Sequence, residues 1–242
     1  KAQYEQYGGG SYDSLVQLGN SLWISDQLNL KDDYRKLAAA DFFASSYQVD
    51  FTQKEAGQQM GRWIAAQTNG VLEPELQINP ATMLAIVNTL YFYGSWEDKF
   101  DAAKTADDGF TKTDGSKVTV PFMNRVESTG SFRTGDGFTV SSLRTNNSCN
   151  MVFLLPDQGR GVEEFLNAPE TLEAALAGKE EQWKSGEVTW KVPKFSFGSS
   201  LKLNELLKAM GAEKMFLPDA AEFGKISETP LYVSDVIQES HI

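Results

Sequence analysis

A single cysteine and a single histidine remove most active-site chemistries from this 242-residue chain before any motif is sought. Cys149 alone closes no internal disulfide and supplies no cysteine-rich metal site. Placed just before an apolar stretch, it reads as a small packed hydrophobe rather than a nucleophile. His241 alone cannot build a multi-histidine zinc site, and a Ser-His-Asp triad would have to use it without a Gly-x-Ser-x-Gly elbow to present the serine. Positive charge is also scarce, since 22 Lys and Arg against 33 Asp and Glu leave a formal charge of −11. Nucleic acids, anionic membranes and heparin-like polymers are held by clustered Lys and Arg, so none is an expected partner. The acidity favours a dispersed monomer instead. No apolar run reaches the roughly 18 residues that a bilayer span needs. Lys1–Gly8 lacks the apolar core of a signal peptide, so the chain is expected to be soluble, any targeting segment having been removed or lying upstream.

Other signals are too incomplete to carry chemistry. Gly8–Gly10 is followed by no Lys-Ser/Thr and no helix start, and Gly135-x-Gly137 lacks the third glycine of a dinucleotide loop. The carboxylate pairs Asp32-Asp33, Asp107-Asp108 and Glu180-Glu181 are sequence neighbours and read as solvated. Neither a cofactor nor a metal is implied.

What the chain does have is a long apolar stretch at Thr82–Gly94, TMLAIVNTLYFYG. It is nearly unbroken in large and β-branched residues, the pattern of a strand buried on both faces. Asn88 interrupts it, and a buried amide must find partners or cost roughly 1–3 kcal/mol. It is therefore expected to mark a specific contact between neighbouring strands. Gly94 permits a sharp exit, after which Trp96 and Phe100 offer aromatic surface to close one end of a sheet.

Strands are expected at Leu18–Ser25 and Ser46–Phe51, with a helix at Lys31–Ala40 between them. Thr52-Gln-Lys-Glu55 reads as a capping box for a helix that places Ala56, Met60, Trp63 and Ile64 on one face and stops at Asn69-Gly70. Phe110–Val120 alternates around Asp114-Gly115, a hairpin signal. Further strands follow at Phe132–Leu143, Met151–Leu155, Val188–Phe197 and Pro230–Ile242. Helices are expected at Gly161–Ala177 and around Leu203, Leu206, Leu207 and Met210, the latter closed by Gly211. Several sheets with separate helices, no repeat and no linker make a single α+β domain over 1–242.

Val87–Asp101, VNTLYFYGSWEDKFD, resembles the signature of the serpins. Similar segments follow in the family's order at Val120–Arg125, Asn150–Pro156, Val192–Phe195, Leu206–Gly211 and Leu231–Ile237, and together they span most of the chain. The resemblance implies a serpin fold with a large, mostly antiparallel central sheet. The acidic, disulfide-free composition points to a prokaryotic-type member; the single cysteine leaves the redox compartment open, and the resemblance implies an extracellular protein.

The resemblance also implies inhibition of serine proteases, with cysteine proteases as a second target class. In such proteins a cleaved reactive-centre loop is trapped as an acyl-enzyme and inserts into the central sheet, strand addition that releases strain. Asn88 then corresponds to the polar shutter, bonded across to the strand of Gln238, and Trp96 to the breach where insertion begins. Gln238 stands where many members carry a histidine, so charge switching at that point is lost. The reactive-centre bond is expected downstream of Ile242, and family segments are expected before Lys1. Two alternatives stand beside this reading: a non-inhibitory serpin used for carriage, storage or chaperoning, and a hydrolase with His241 as base. Asn146-Asn147-Ser148 fits a glycosylation acceptor.

Overall fold

The computed structural model describes residues 14–176 and 183–242. Gly8–Gly10, Glu180-Glu181 and the end of the helix expected at Gly161–Ala177 lie outside the described residues. The chain, read from its sequence as one domain, groups into two compact units, Lys1–Tyr93 with Ser196–Ile242, and Gly94–Phe195.

In the first unit, β1 (Ser14–Ser25) lies between β2 (Ser45–Val49) and β3 (Leu84–Gly94). β1 and β2 are parallel, with Ser21 opposite Ser45. Parallel neighbours need a crossover, and helix α1 (Asp32–Asp41) supplies it. Its first turn carries Asp32 and Asp33, which suit the positive end of the helix dipole. β3 runs antiparallel to β1: Ser25 donates its backbone N–H to Met83 O at 2.9 Å near one end, and Thr89 Oγ1 reaches Gly19 O at 3.5 Å towards the other. Gly19 makes this approach possible, since a Cβ there would sit 2.5 Å from Thr89 Oγ1.

Helix α2 (Lys54–Gln67) buries Ala56 and Met60 in a cluster with Trp23, Val49 and Phe51, joined by Trp63, Ala85 and Val87. Its apolar face is the one read from the sequence, but its cap is not. Thr52 gives both its amide and its hydroxyl to Asp50 Oδ1, at 2.9 and 2.6 Å, and the N-cap becomes Gln53 with no side-chain cap. The nearer carboxylate captures the hydroxyl that the capping box requires. Those bonds, led by the Thr52 hydroxyl, hold the Asp50 carboxyl below its ordinary range. Asn69 (φ 51°) and Gly70 (φ 76°) end α2 in the left-handed region, as expected.

β3 is not buried on both faces. Ala85 and Val87 pack beneath α2, while Ile86 and Leu90 on the other side are 61% and 65% exposed. Successive side chains alternate across a strand, so a continuous apolar run only makes both faces fit for burial. Whether each face is covered depends on other segments, and among the described residues one is not. β10 is also shorter than expected, running Ile237–His241 against β9 (Gly198–Lys202). Helix α5 (Asn204–Leu207) continues as a wide turn through Gly211 (φ 95°), and Met210, placed by periodicity on its apolar face, is 74% exposed.

In the second unit, β4 (Ala106–Thr111), β5 (Lys117–Gly135), β6 (Phe138–Arg144) and β7 (Asn150–Pro156) form an antiparallel sheet, with β8 (Lys184–Pro193) also on β5. The Asp114-Gly115 hairpin is present, its carboxylate accepting from the Ser116 amide and hydroxyl at 2.8 and 2.6 Å. Asp136-Gly137, read as strand interior, is instead the turn between β5 and β6, where Gly137 takes a φ of 80°. The acidic helix divides into α3 (Val162–Leu166) and α4 (Pro169–Leu176), because Pro169 cannot extend α3. Phe165 of α3 meets Phe138 edge-on at 5.8 Å and closes one core; Leu143, Trp190 and Val192 form the other.

Candidate functional site

The polar residue of β3 is placed by its ladder. Asn88 Nδ2 donates to Asn20 Oδ1 at 2.6 Å and lies 3.4 Å from Gly19 O, both on β1. Gln238, the expected partner, sits on β10 opposite Leu201 of β9. The Asn88–Gln238 bond expected from the sequence is therefore not made in this structure. A side chain on a strand reaches its cross-strand neighbours, and the neighbour of β3 is β1. Asn20 is the partner that the sequence reading missed; the signal for it was a Gly-Asn-Ser step inside the otherwise apolar Leu18–Ile24. Replacing Asn88 with Ala is expected to cost about 0.5–1 kcal/mol, since this exposed side-chain pair is neutral and partly solvated. Urea unfolding measures it; because Asn20 also donates Nδ2–H to Phe42 O at 2.7 Å, the double variant should cost more than Asn88→Ala alone but less than the sum of the two single losses.

Among the described residues, β3 is laddered only to β1 and β10 only to β9, so each is the last strand of its sheet. Each thus carries a row of backbone N–H and C=O groups outside any described ladder. β3 adds an apolar, exposed face to that edge through Ile86, Leu90 and Phe92.

Trp96 belongs to the second unit. It forms a bridge with Thr145 and meets Phe100 edge-on at 6.3 Å. Glu97 N–H to Arg144 O at 2.9 Å and Asn146 N–H to Ser95 O at 3.0 Å fasten the same segment to the end of β6. Arg125 lies over the Phe100 ring at 5.4 Å and donates to Asp98 O. Its other arm reaches Glu127 Oε2 at 3.1 Å, and the same oxygen accepts Trp190 Nε1–H at 3.0 Å. This network locks the Trp96–Phe100 segment to β5 and β8, and no motif announced it. Glu127→Ala is expected to cost about 1–2 kcal/mol by leaving the Trp190 N–H and the Arg125 guanidinium short of a partner. A urea titration followed by circular dichroism checks this, and Glu127→Gln should recover part of the loss.

His241 Nε2 lies 3.3 Å from Ser196 Oγ, with both residues exposed. Among the described residues no carboxylate is bonded to the imidazole, so the pair lacks the orienting acid of a triad. Cys149 is a free, half-buried thiol, and its carbonyl accepts from Thr145. Among the described residues no group of three or more His, Cys, Asp or Glu is placed to hold a metal.

Comparison with known proteins shows to which family this arrangement of sheets belongs. The family described as Serpin (serine protease inhibitor) matches residues 4–242, and the chain belongs to the serpin family. Serpin-Z1B of Triticum aestivum is 29% identical over 94% of this chain and 60% of its own length. The chain thus spans less than two thirds of the length of such relatives. Among solved structures, ovalbumin from emu, Dromaius novaehollandiae, superposes with a TM-score of 0.90 at 21% identity, over 100% of this chain and 64% of that one. The thermophilic serpin Tengpin superposes in its latent state at 0.84 and in its native state at 0.85, with 24% identity in both; this covers 96% and 99% of this chain, and 64% and 62% of Tengpin. These likenesses establish the serpin fold, with its α+β arrangement of sheets and surrounding helices.

Proposed function

We propose that the chain is the body of an inhibitory serpin, acting as a monomer outside the cell on serine endopeptidases. The full-length protein offers a loop as substrate, is acylated by the protease, and carries the trapped enzyme with it as the loop joins the sheet beside β3. Family membership supports protease inhibition in general. The observation that carries the finer reading is β3 itself, which ends its described sheet, is apolar on both faces, and so suits an added strand without exposing polar groups to an apolar surface. That Tengpin adopts both a native and a latent state is consistent with such a fold being able to rearrange.

Incubation with a panel of serine proteases tests the reading. The full-length protein is expected to form a denaturant-resistant covalent complex with at least one of them, whereas residues 1–242 alone form none. Turnover of the loop with no complex would assign the protein to the non-inhibitory serpins. A covalent complex with residues 1–242 would place the reactive bond within this chain and overturn the reading.

A further inference from the structure

The segment that follows α2 has no regular secondary structure, yet it is fastened along its whole length. Residues 71–79 alternate between exposed and half-buried positions, with Leu72, Pro74, Leu76 and Ile78 turned inward. At its start Thr68, 3% exposed, donates its hydroxyl to Ile64 O at 2.8 Å and accepts the Leu72 N–H at 3.2 Å, tying the segment to the last turn of α2. At its end Asn79 accepts from Ala81 N–H through its side chain and from Thr82 N–H through its backbone, both at 2.9 Å. Between these anchors, Leu76 and Ile78 enter the same cluster that α2 forms with Trp23, Ala85 and Val87 of the sheet.

The middle of the segment rests on two glycines one helical turn apart. Gly57 and Gly61 are both buried on α2. A Cβ on Gly61 would sit 2.6 Å from Pro74 O, and one on Gly57 would collide with Leu76 O. The obstruction in each case is backbone, which cannot swing aside as a flexible side chain can. Glycine inside a helix is disfavoured relative to alanine, so two of them on one face need a packing reason, and the carbonyls of this segment supply it.

We propose that residues 71–80 are a strap seated in a notch formed by Gly57 and Gly61, and that the strap locks α2 to the sheet β2-β1-β3. Because Leu76 and Ile78 pack against both the helix and the sheet, α2 and β3 separate only when the strap lifts, and the three open as one unit. Local opening units of this kind are measured by native-state amide exchange.

The test uses the full-length protein and hydrogen–deuterium exchange of the segments 54–67, 71–80 and 84–94. Gly57→Ala is expected to speed exchange by about tenfold or more in all three segments together, although alanine by itself favours a helix. Gln58→Ala, exposed on the same helix, should leave all three unchanged. Leu76→Ala, which removes the plug without touching α2, should reproduce the coupled increase and decides the matter if Gly57→Ala fails to fold. An increase confined to 71–80 would make the segment an ordinary loop, and no increase with either variant would remove the notch; both results overturn the proposal.

Discussion

Cleavage of the loop expected downstream of Ile242 should raise the melting temperature of the full-length protein by about 10 °C or more. The gain comes at β3, an 11-residue strand that ends its sheet among the described residues. A strand arriving beside it would add about ten ladder hydrogen bonds, each worth a net of roughly 0.5–1.5 kcal/mol. At roughly 2–4 °C per kcal/mol for a protein of this size, even the lower bound gives the stated shift. Burial of Ile86, Leu90 or Phe92 by the rearranged chain would add to it. Calorimetry before and after limited proteolysis in the loop gives the answer. An unchanged or lower melting temperature with the body intact would sink the insertion mechanism and move the protein to the non-inhibitory members of the family.

The largest effect of a single substitution is expected at Trp23. It is 2% exposed, stacks on Tyr47 at 4.4 Å and donates its indole N–H to Ser21 Oγ at 2.9 Å. It also links the cluster beneath α2 to both β1 and β2, because Trp23 is paired with Tyr47 in the parallel ladder. Trp23→Ala should therefore cost about 3–5 kcal/mol, the range for emptying a large aromatic site in a core. Trp23→Phe should cost clearly less, since it keeps the ring stack and loses only the indole bond and part of the volume. Denaturant midpoints at unchanged m-value would measure both. Equal losses for the two variants would show that the hydrogen bond to the buried Ser21, and not the filling of the cluster, dominates at this position.

Local pattern located most of the elements. β1, α1, β2 and α2 appear within a few residues of their expected places, because amphipathic spacing and stop signals such as Asn69-Gly70 act over one or two turns of chain. The two misread turns are local as well, but they depend on competition between near neighbours. Asp50 takes the Thr52 hydroxyl that a capping box would have used, and Asp136-Gly137 turns the chain where alternation alone continues it. The family was legible too, because its segments recur in order from Val87 to Ile237.

The sequence by itself determined most of the segments that form strands and helices, though not the strand at Gly198–Lys202, and the family to which the chain belongs, since these are written in residues close together along the chain. Only the tertiary structure decided what the apolar faces and polar groups of those segments meet. Asn88 bonds to Asn20, 68 positions away, because strand order and not composition chooses the neighbour of β3. The exposure of Ile86 and Leu90 has the same origin, since a hydrophobic run records that burial is favourable but not which segment provides it. Arg125 and Trp190 converge on the Glu127 carboxylate, and Gly57 and Gly61 receive the carbonyls of Leu76 and Pro74, through approaches set by packing in three dimensions. Such contacts carry no periodic signature, because each depends on the distance between backbones that the chain brings together only when it folds.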